Sequence, residues 1–198
     1  MPVRFRQEIQ EVPRRLTAPD PPLADDVLRL EPLAQSDHAD LLALVGDDAV
    51  RAYTLVPTGA DATFISGWIT RYEQGWVDGS CAGFAARDAA DMGFLAFASI
   101  VQLDLDARQG EIGYAVAPTA RGRGVARRSV GLLTRWAFDD LGLIRLVLEI
   151  DVANPASERV AERSGYRLEG VRRSAHFKEG RRADVGVWSR LRDDPPVP

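Results

Sequence analysis

Lysine is almost missing from this 198-residue chain. Of its 25 basic residues one is lysine, Lys178, and the rest are arginine. Coding bias produces such a skew without any function, so it decides nothing by itself. Cysteine is equally rare: Cys81 stands alone, which excludes an intrachain disulfide and fits a reducing, cytoplasmic setting. The only histidines are His38 and His176, and no His/Cys/Asp group has metal-ligand spacing, so no metal is expected. Long apolar runs are lacking as well. Residues 92–103 form the most apolar stretch, and a bilayer needs ~20 helical residues. Residues 1–26 mix Arg4, Arg6, Glu8, Glu11, Arg14 and Arg15 with no apolar export core. There is no basic excess either. The formal net charge of −4 disfavours a general nucleic-acid binder, which presents a basic face. What remains is ordinary globular chemistry: 45% hydrophobic and 27% charged residues are enough for one buried core.

Prolines mark both ends. Pro2, Pro13, Pro19, Pro21 and Pro22 predict an extended or partly ordered arm over residues 1–25, and Pro195, Pro196 and Pro198 a tail over 192–198. The folded unit is then 26–191. Residues 27–33 read as a first strand. Ser36 starts a helix with Leu41, Leu42 and Val45 on its apolar side. Phe64, Ile65, Trp68, Ile69 and Tyr72 recur at helical spacing over 61–76. Residues 81–87, 92–103 and 110–117 read as strands.

The next unit is the clearest. Ala126, Val130, Leu133, Ala137 and Leu141 recur at steps of four and three, one helical face, with Gly142 as the stop. Ile144, Leu146, Leu148, Ile150 and Val152 then alternate as a strand. Strand, helix and strand in that order form a crossover, so the two strands should be parallel neighbours. Asn154 and Pro155 suit the N-cap and first position of a short helix. Residues 166–172 and 182–191 close the chain as an antiparallel pair. The class is mixed α/β.

The chemistry concentrates at Ala120-Arg121-Gly122-Arg123-Gly124-Val125-Ala126, between a strand and the long helix. A helix start exposes unpaired N–H groups and the positive end of its dipole. Glycines let an anion approach that backbone closely. Arg121, Arg123, Arg127 and Arg128 add local positive charge to an acidic chain, and a diphosphate is the natural guest. A Walker loop would need Gly-Lys-Ser/Thr, and a dinucleotide loop a third glycine where Arg127 stands. A plain glycine-rich turn with solvated arginines accounts for the run equally well on its own.

Arg121-x-x-Gly124-x-Ala126 matches the R/Q-x-x-G-x-G/A signature of the GNAT acyltransferase superfamily. Glu111-Ile112-Gly113-Tyr114 resembles that family's E-x-G-Y strand. Residues 154–166 resemble its N-x-x-S-x-x-V-A-x-x-x-G-F block, and Glu169-Gly170-Val171-Arg172 its E-G-x-x-R. This ordering is similar to the Rim-type branch, the ribosomal-protein N-terminal acetyltransferases and their relatives, over residues 27–191. The resemblance implies a mostly antiparallel sheet with one splayed parallel strand pair and flanking helices. It implies an acyl-CoA site, with acetyl-CoA as the default donor; succinyl-CoA is an alternative that Arg181 and Arg182 suggest. Arg121, Gly122, Arg123, Gly124, Val125 and Ala126 would hold the pyrophosphate, and Val116 and Asn154 the pantetheine arm. The acyl group would pass directly to a primary amine, on a protein N-terminus or a small molecule.

Glu111 is then the candidate base, although an ordinary glutamate near 4.3 is a weak one without burial or a relay water. A strand glutamate paired with an arginine is the alternative. Ser157 stands where other branches carry tyrosine and is the candidate for a hydrogen bond or a proton to the thioester sulfur. The alternative is a first-turn serine solvating a helix end. Tyr114 lies an odd number of residues from Glu111, so a regular strand puts the two on opposite faces, and a packing role is expected. Cys81 reads as a buried strand cysteine. His38 reads as a surface residue and His176 as a solvated one bordering the acceptor pocket at most. Residues 56–61 and 174–184 would select the acceptor, and Arg181 and Arg182 there would suit a carboxylate. Two other classes remain open: a non-catalytic acyl-CoA sensor, and a nucleotide-phosphate binder using the same loop. The sheet edge and the Pro-rich arm are each compatible with a homodimer.

Overall fold

The computed structural model describes residues 15–196. Its centre is an eight-stranded sheet in the order β1-β2-β3-β4-β5-β6-β8-β7. The strands are β1 (Leu23–Ala24), β2 (Leu28–Pro32), β3 (Ala82–Asp88), β4 (Phe94–Asp104), β5 (Gln109–Val116), β6 (Arg145–Asp151), β7 (Arg167–Lys178) and β8 (Arg181–Leu191). Every neighbouring pair is antiparallel except β5 and β6. That exception follows from the crossover helix α4 (Val125–Asp139), which returns the chain to the same edge.

Helices cover both faces. α1 (His38–Val45), α2 (Asp48–Tyr53) and α3 (Ala62–Asp78) precede β3. Leu41, Leu44, Ile65, Ile69 and Tyr72 from α1 and α3 form one core with Ala85, Phe97 and Ala115 of the sheet. α4 covers the other face, where Val130, Leu133 and Ala137 are fully buried against Phe84, Ala98, Ile112 and Leu146. Trp76, Phe84 and Trp136 stack in a triangle there, with ring centroids 5.3–5.8 Å apart. α3 starts where Asp61 accepts the Phe64 N–H at 2.9 Å and ends at Gly79, whose φ of 77° suits a residue without Cβ. α5 (Pro155–Arg163) starts with Asn154 accepting from Ser157 N at 3.2 Å, as its Asn-Pro start predicts.

Several expectations shift. Ser36 lies in a single 3-10 turn, and α1 begins at His38. Leu44 rather than Leu42 faces the core; Leu42 is exposed. α4 ends at Asp139, before the expected stop at Gly142, because the chain turns early to place Leu143 N on Ala137 O at 2.9 Å. β7 runs to Lys178, well past residue 172. The described part of the N-terminal arm packs on the body: Leu16 is buried, its N–H reaches Trp76 O at 3.1 Å, and Leu23–Ala24 pairs with β2. Apolar side chains at Leu16 and Leu23 outweigh the prolines between them. Residues 1–14 lie outside the described residues. Past β8, Arg192 N bonds Ile144 O at 3.1 Å, which ties down the start of the tail.

One feature of the sheet positions the site. β5 and β6 pair only at Gln109↔Arg145, Gly110↔Leu146 and Glu111↔Val147. Beyond Glu111 the strands part, while β5 stays paired to β4 through Val116.

Candidate active site

The gap between β5 and β6 opens into a cleft of about 700 Å³. Ile112 and residues 114–116 line one wall and residues 148–151 the other, the parted strands exposing residues of both faces to the gap. The glycine loop and the first turn of α4 close one end, and α5 flanks it with Asn154, Ser157 and Val160. Gly122 and Gly124 have φ of 74° and 77°, the left-handed region, so the chain turns there at a conformation that penalises a Cβ. No atom lies within 4 Å of a Cβ built at either, which leaves the space over the loop open. No side chain caps α4, so its first N–H groups face the cleft without a side-chain partner.

The residues expected to hold a phosphate divide. Arg121, Gly122, Gly124, Val125 and Ala126 line the cleft, and Arg123 does not. Arg123 turns to Asp88 of β3 at 3.0 Å. Arg128 pairs with Asp25 and Asp26 at 2.9 and 2.7 Å. Arg121 stays at the wall but is bound to Asp47, the N-cap of α2, and its hydrogen bond holds the Asp47 carboxyl below the usual range. Arg127 lines the cleft.

Glu111 stands on the last paired rung of β5 and β6, on the face opposite α4, beside the cleft and not among the residues that line it. Burial, reinforced by the charge of Glu149 and opposed by Arg172, pushes its carboxyl up to about 7. Gln102 Nε2 donates to its Oε2 at 2.7 Å. Gln102 reaches it from an irregular stretch of β4, between Val101 and Asp104, where its φ is 48°. Glu149, on β6, accepts from Arg172, and His176 Nε2 lies 3.8 Å from its other oxygen. His176 thus stands against a cleft-lining carboxylate rather than in open solvent. Neither Gln102 nor Glu149 carries a signal in the sequence, since each enters through long-range pairing.

Tyr114 packs against the core as expected, and it also lines the cleft. β5 alternates without a break, so Tyr114 does lie on the opposite face from Glu111. Its hydroxyl is buried in the cleft wall with no hydrogen-bond partner among the described residues, beside Ser157. Burial pushes it up to about 12. Cys81 is buried away from the cleft, and its thiol is pushed up by burial. His38 Nε2 lies 2.9 Å from Ala62 O, at the start of α3. Trp68 and Tyr72 pack on Phe97, outside the cleft. The two segments expected to select the acceptor are clasped together. Glu179 accepts from Thr58 N and Oγ1 at 2.5 and 2.6 Å, and Lys178 Nζ donates to Arg51 O and Thr54 O at 2.5 and 3.2 Å. Arg182 donates to Ser174 O at 2.8 Å and lies over the Phe177 ring. Among the described residues no group of three or more His, Cys, Asp or Glu could hold a metal ion, and no helix is long and apolar enough to cross a membrane.

Residues 28–167 match the acetyltransferase (GNAT) domain family. The Bacillus subtilis protein YdaF, whose naming as a ribosomal N-acetyltransferase is itself provisional, is 31% identical over 139 residues, 69% of this chain and 73% of that one. Two solved structures share the fold. RimL, a ribosomal L7/L12 alpha-N-protein acetyltransferase in complex with coenzyme A, superposes with a TM-score of 0.78 at 21% identity, over 88% of this chain and 98% of its own. The spermidine N-acetyltransferase of Vibrio cholerae, in complex with CoA and spermine, gives 0.75 at 22% identity, over 84% and 96%. With a family match spanning most of the chain, and with a splayed strand pair facing an uncapped helix start, the chain belongs to the GNAT acetyltransferase family and is similar within it to the Rim-type enzymes.

Proposed function

We propose that the chain moves an acetyl group from acetyl-CoA to a primary amine in the cytoplasm, with Glu111 as the base. The observation that carries this reading is the parting of β5 and β6 directly after Glu111. The gap so formed has an uncapped helix start at one end and a carboxyl raised to about 7 at the other. Backbone N–H groups at residues 122–126 suit the pyrophosphate, since they combine open space with the positive end of the α4 dipole. The pantetheine arm lies between β5 and β6, with Val116 and Asn154 beside it.

In the reaction the acceptor nitrogen forms a bond to the thioester carbon and the carbon–sulfur bond breaks. A cationic acceptor first gives one proton to solvent, and the surplus proton that the nitrogen carries after attack passes to the Glu111 carboxylate, directly or through a water. A base near 7 takes that proton far better than an ordinary glutamate at neutral pH. The departing thiolate meets the hydroxyls of Tyr114 and Ser157. Tyr114, raised to about 12, holds its proton more tightly than a thiol with a pKa of about 8.5 would. It therefore donates a hydrogen bond to the developing charge, and the thiolate takes its proton from solvent.

The acceptor is a cationic amine, either a protein N-terminus or a small amine. Acetyl is the default acyl group, and of the two arginines that would suit a succinyl carboxylate, Arg182 is engaged by Ser174 and Phe177. The test is calorimetric titration with acetyl-CoA, CoA and succinyl-CoA, on the wild type and on Gly124→Trp. Binding of acetyl-CoA that is lost in the variant supports the reading. No binding of any of the three to the wild type overturns it.

A further inference from the structure

Six arginines surround the glycine loop and α5: Arg121, Arg123, Arg127, Arg128, Arg159 and Arg163. They fall into two sets. Arg121, Arg123 and Arg128 each hold a carboxylate. Arg127, Arg159 and Arg163 have none within ion-pair distance among the described residues, and all three line the cleft. Arg159 and Arg163 stand one turn apart, on one face of α5. Arg127 lies in the first turn of α4. Like charges lining one cleft repel, and the fold pairs the other three arginines while leaving these three with no ion-pair partner among the described residues. An anionic guest would offset that repulsion.

The position of the set narrows the guest. α5 lines the cleft from Ser157 near its start to Arg163 in its last turn, so its arginines lie away from the Tyr114–Ser157 end. The diphosphate already has the backbone N–H groups of the loop. The next anion along coenzyme A is the phosphomonoester on its ribose, a dianion with three oxygens suited to the forked donors of arginine. We infer that Arg127, Arg159 and Arg163 form a subsite for this 3′-phosphate, so that the protein selects CoA thioesters over their dephospho-CoA counterparts. The inference rests on the acyl-CoA reading of the cleft given above.

The experiment is calorimetric titration of the full chain with CoA and with dephospho-CoA, on the wild type, Arg127→Gln and the double variant Arg159→Gln/Arg163→Gln. Exposed arginine–phosphate contacts change affinity by about 2- to 5-fold each. The wild type should therefore hold CoA about 10-fold more tightly or better. The double variant should lose most of that preference, and Arg127→Gln part of it, with affinity for dephospho-CoA unchanged within about 2-fold. Equal affinity of the wild type for both ligands overturns the subsite and leaves the acyl-CoA site standing. So does an equal loss for both ligands in the variants, which would assign the arginines to the diphosphate. Failure of the wild type to bind either ligand overturns the acyl-CoA reading itself, and the subsite with it.

Discussion

The charge of Glu149 on β6 helps to hold the Glu111 carboxyl of β5 up to about 7, and Arg172, which is bound to Glu149, works against it. Glu111 stands on the last rung at which these strands pair, and Glu149 lies beyond it on the wall of the gap. Burial is the main cause of the raised carboxyl, and the opposed pair modifies it in a way that mutation can unbalance in either direction.

Removing each member should move the pH profile oppositely. Glu149→Gln deletes the like charge and frees Arg172, so the rise of kcat/KM with pH should shift below its wild-type midpoint near 7. Arg172→Gln deletes the opposing charge, so the rise should shift upward. Initial rates from pH 5 to 9 on both variants check this. Shifts in the same direction would show that Glu149 does not act on Glu111 through its charge.

Stability carries the same signature. An acid whose pKa rises from 4.5 unfolded to about 7 folded favours the folded state only while protonated. Stability from this group is therefore present below 4.5, falls between 4.5 and 7, and stays low above 7. Glu111→Gln should be more stable than the wild type at pH 8, by about 2 kcal/mol after allowance for partial exposure. The difference should vanish at pH 4, and denaturant unfolding at both pH values reads it. The variant still offers an oxygen to the Gln102 amide, so it keeps that hydrogen bond.

Tyr114→Phe separates packing from chemistry. The hydroxyl has no hydrogen-bond partner among the described residues, so its removal should leave stability unchanged or slightly raised. If it meets the thiolate, kcat should fall about 10-fold or more, with the KM for acetyl-CoA little changed. An unaltered kcat would return Tyr114 to the packing role.

What was legible in the sequence was local. The stripe Val130–Leu133–Ala137 marked α4, Asp61 and Asn154 marked helix starts, and the alternation of Leu146, Leu148 and Ile150 marked β6, all within a few residues of each other. What escaped was set at long range. Arg121 and Arg123 looked alike in the loop, and partners from distant segments, Asp47 and Asp88, divide their roles. Gln102 reaches Glu111 through an irregularity in β4 that no periodicity announces. His176 and Tyr114 read as bland because their neighbours, Glu149 and Ser157, come from other elements of the fold. The prolines of the arm predict an extended segment, while Leu16 is buried in the core and bonds the Trp76 carbonyl, contacts that only the assembled fold supplies.

The most direct test of the account is thiol release from acetyl-CoA with a panel of amines (N-terminal peptides, polyamines, amino acids), for the wild type and Glu111→Gln. Turnover is expected with at least one amine, rising through about pH 7, with a loss of about 100-fold or more in Glu111→Gln while acetyl-CoA still binds. A variant that turns over at the wild-type rate, or a wild-type rate flat across pH 6 to 8, would contradict the assignment of Glu111 as the base.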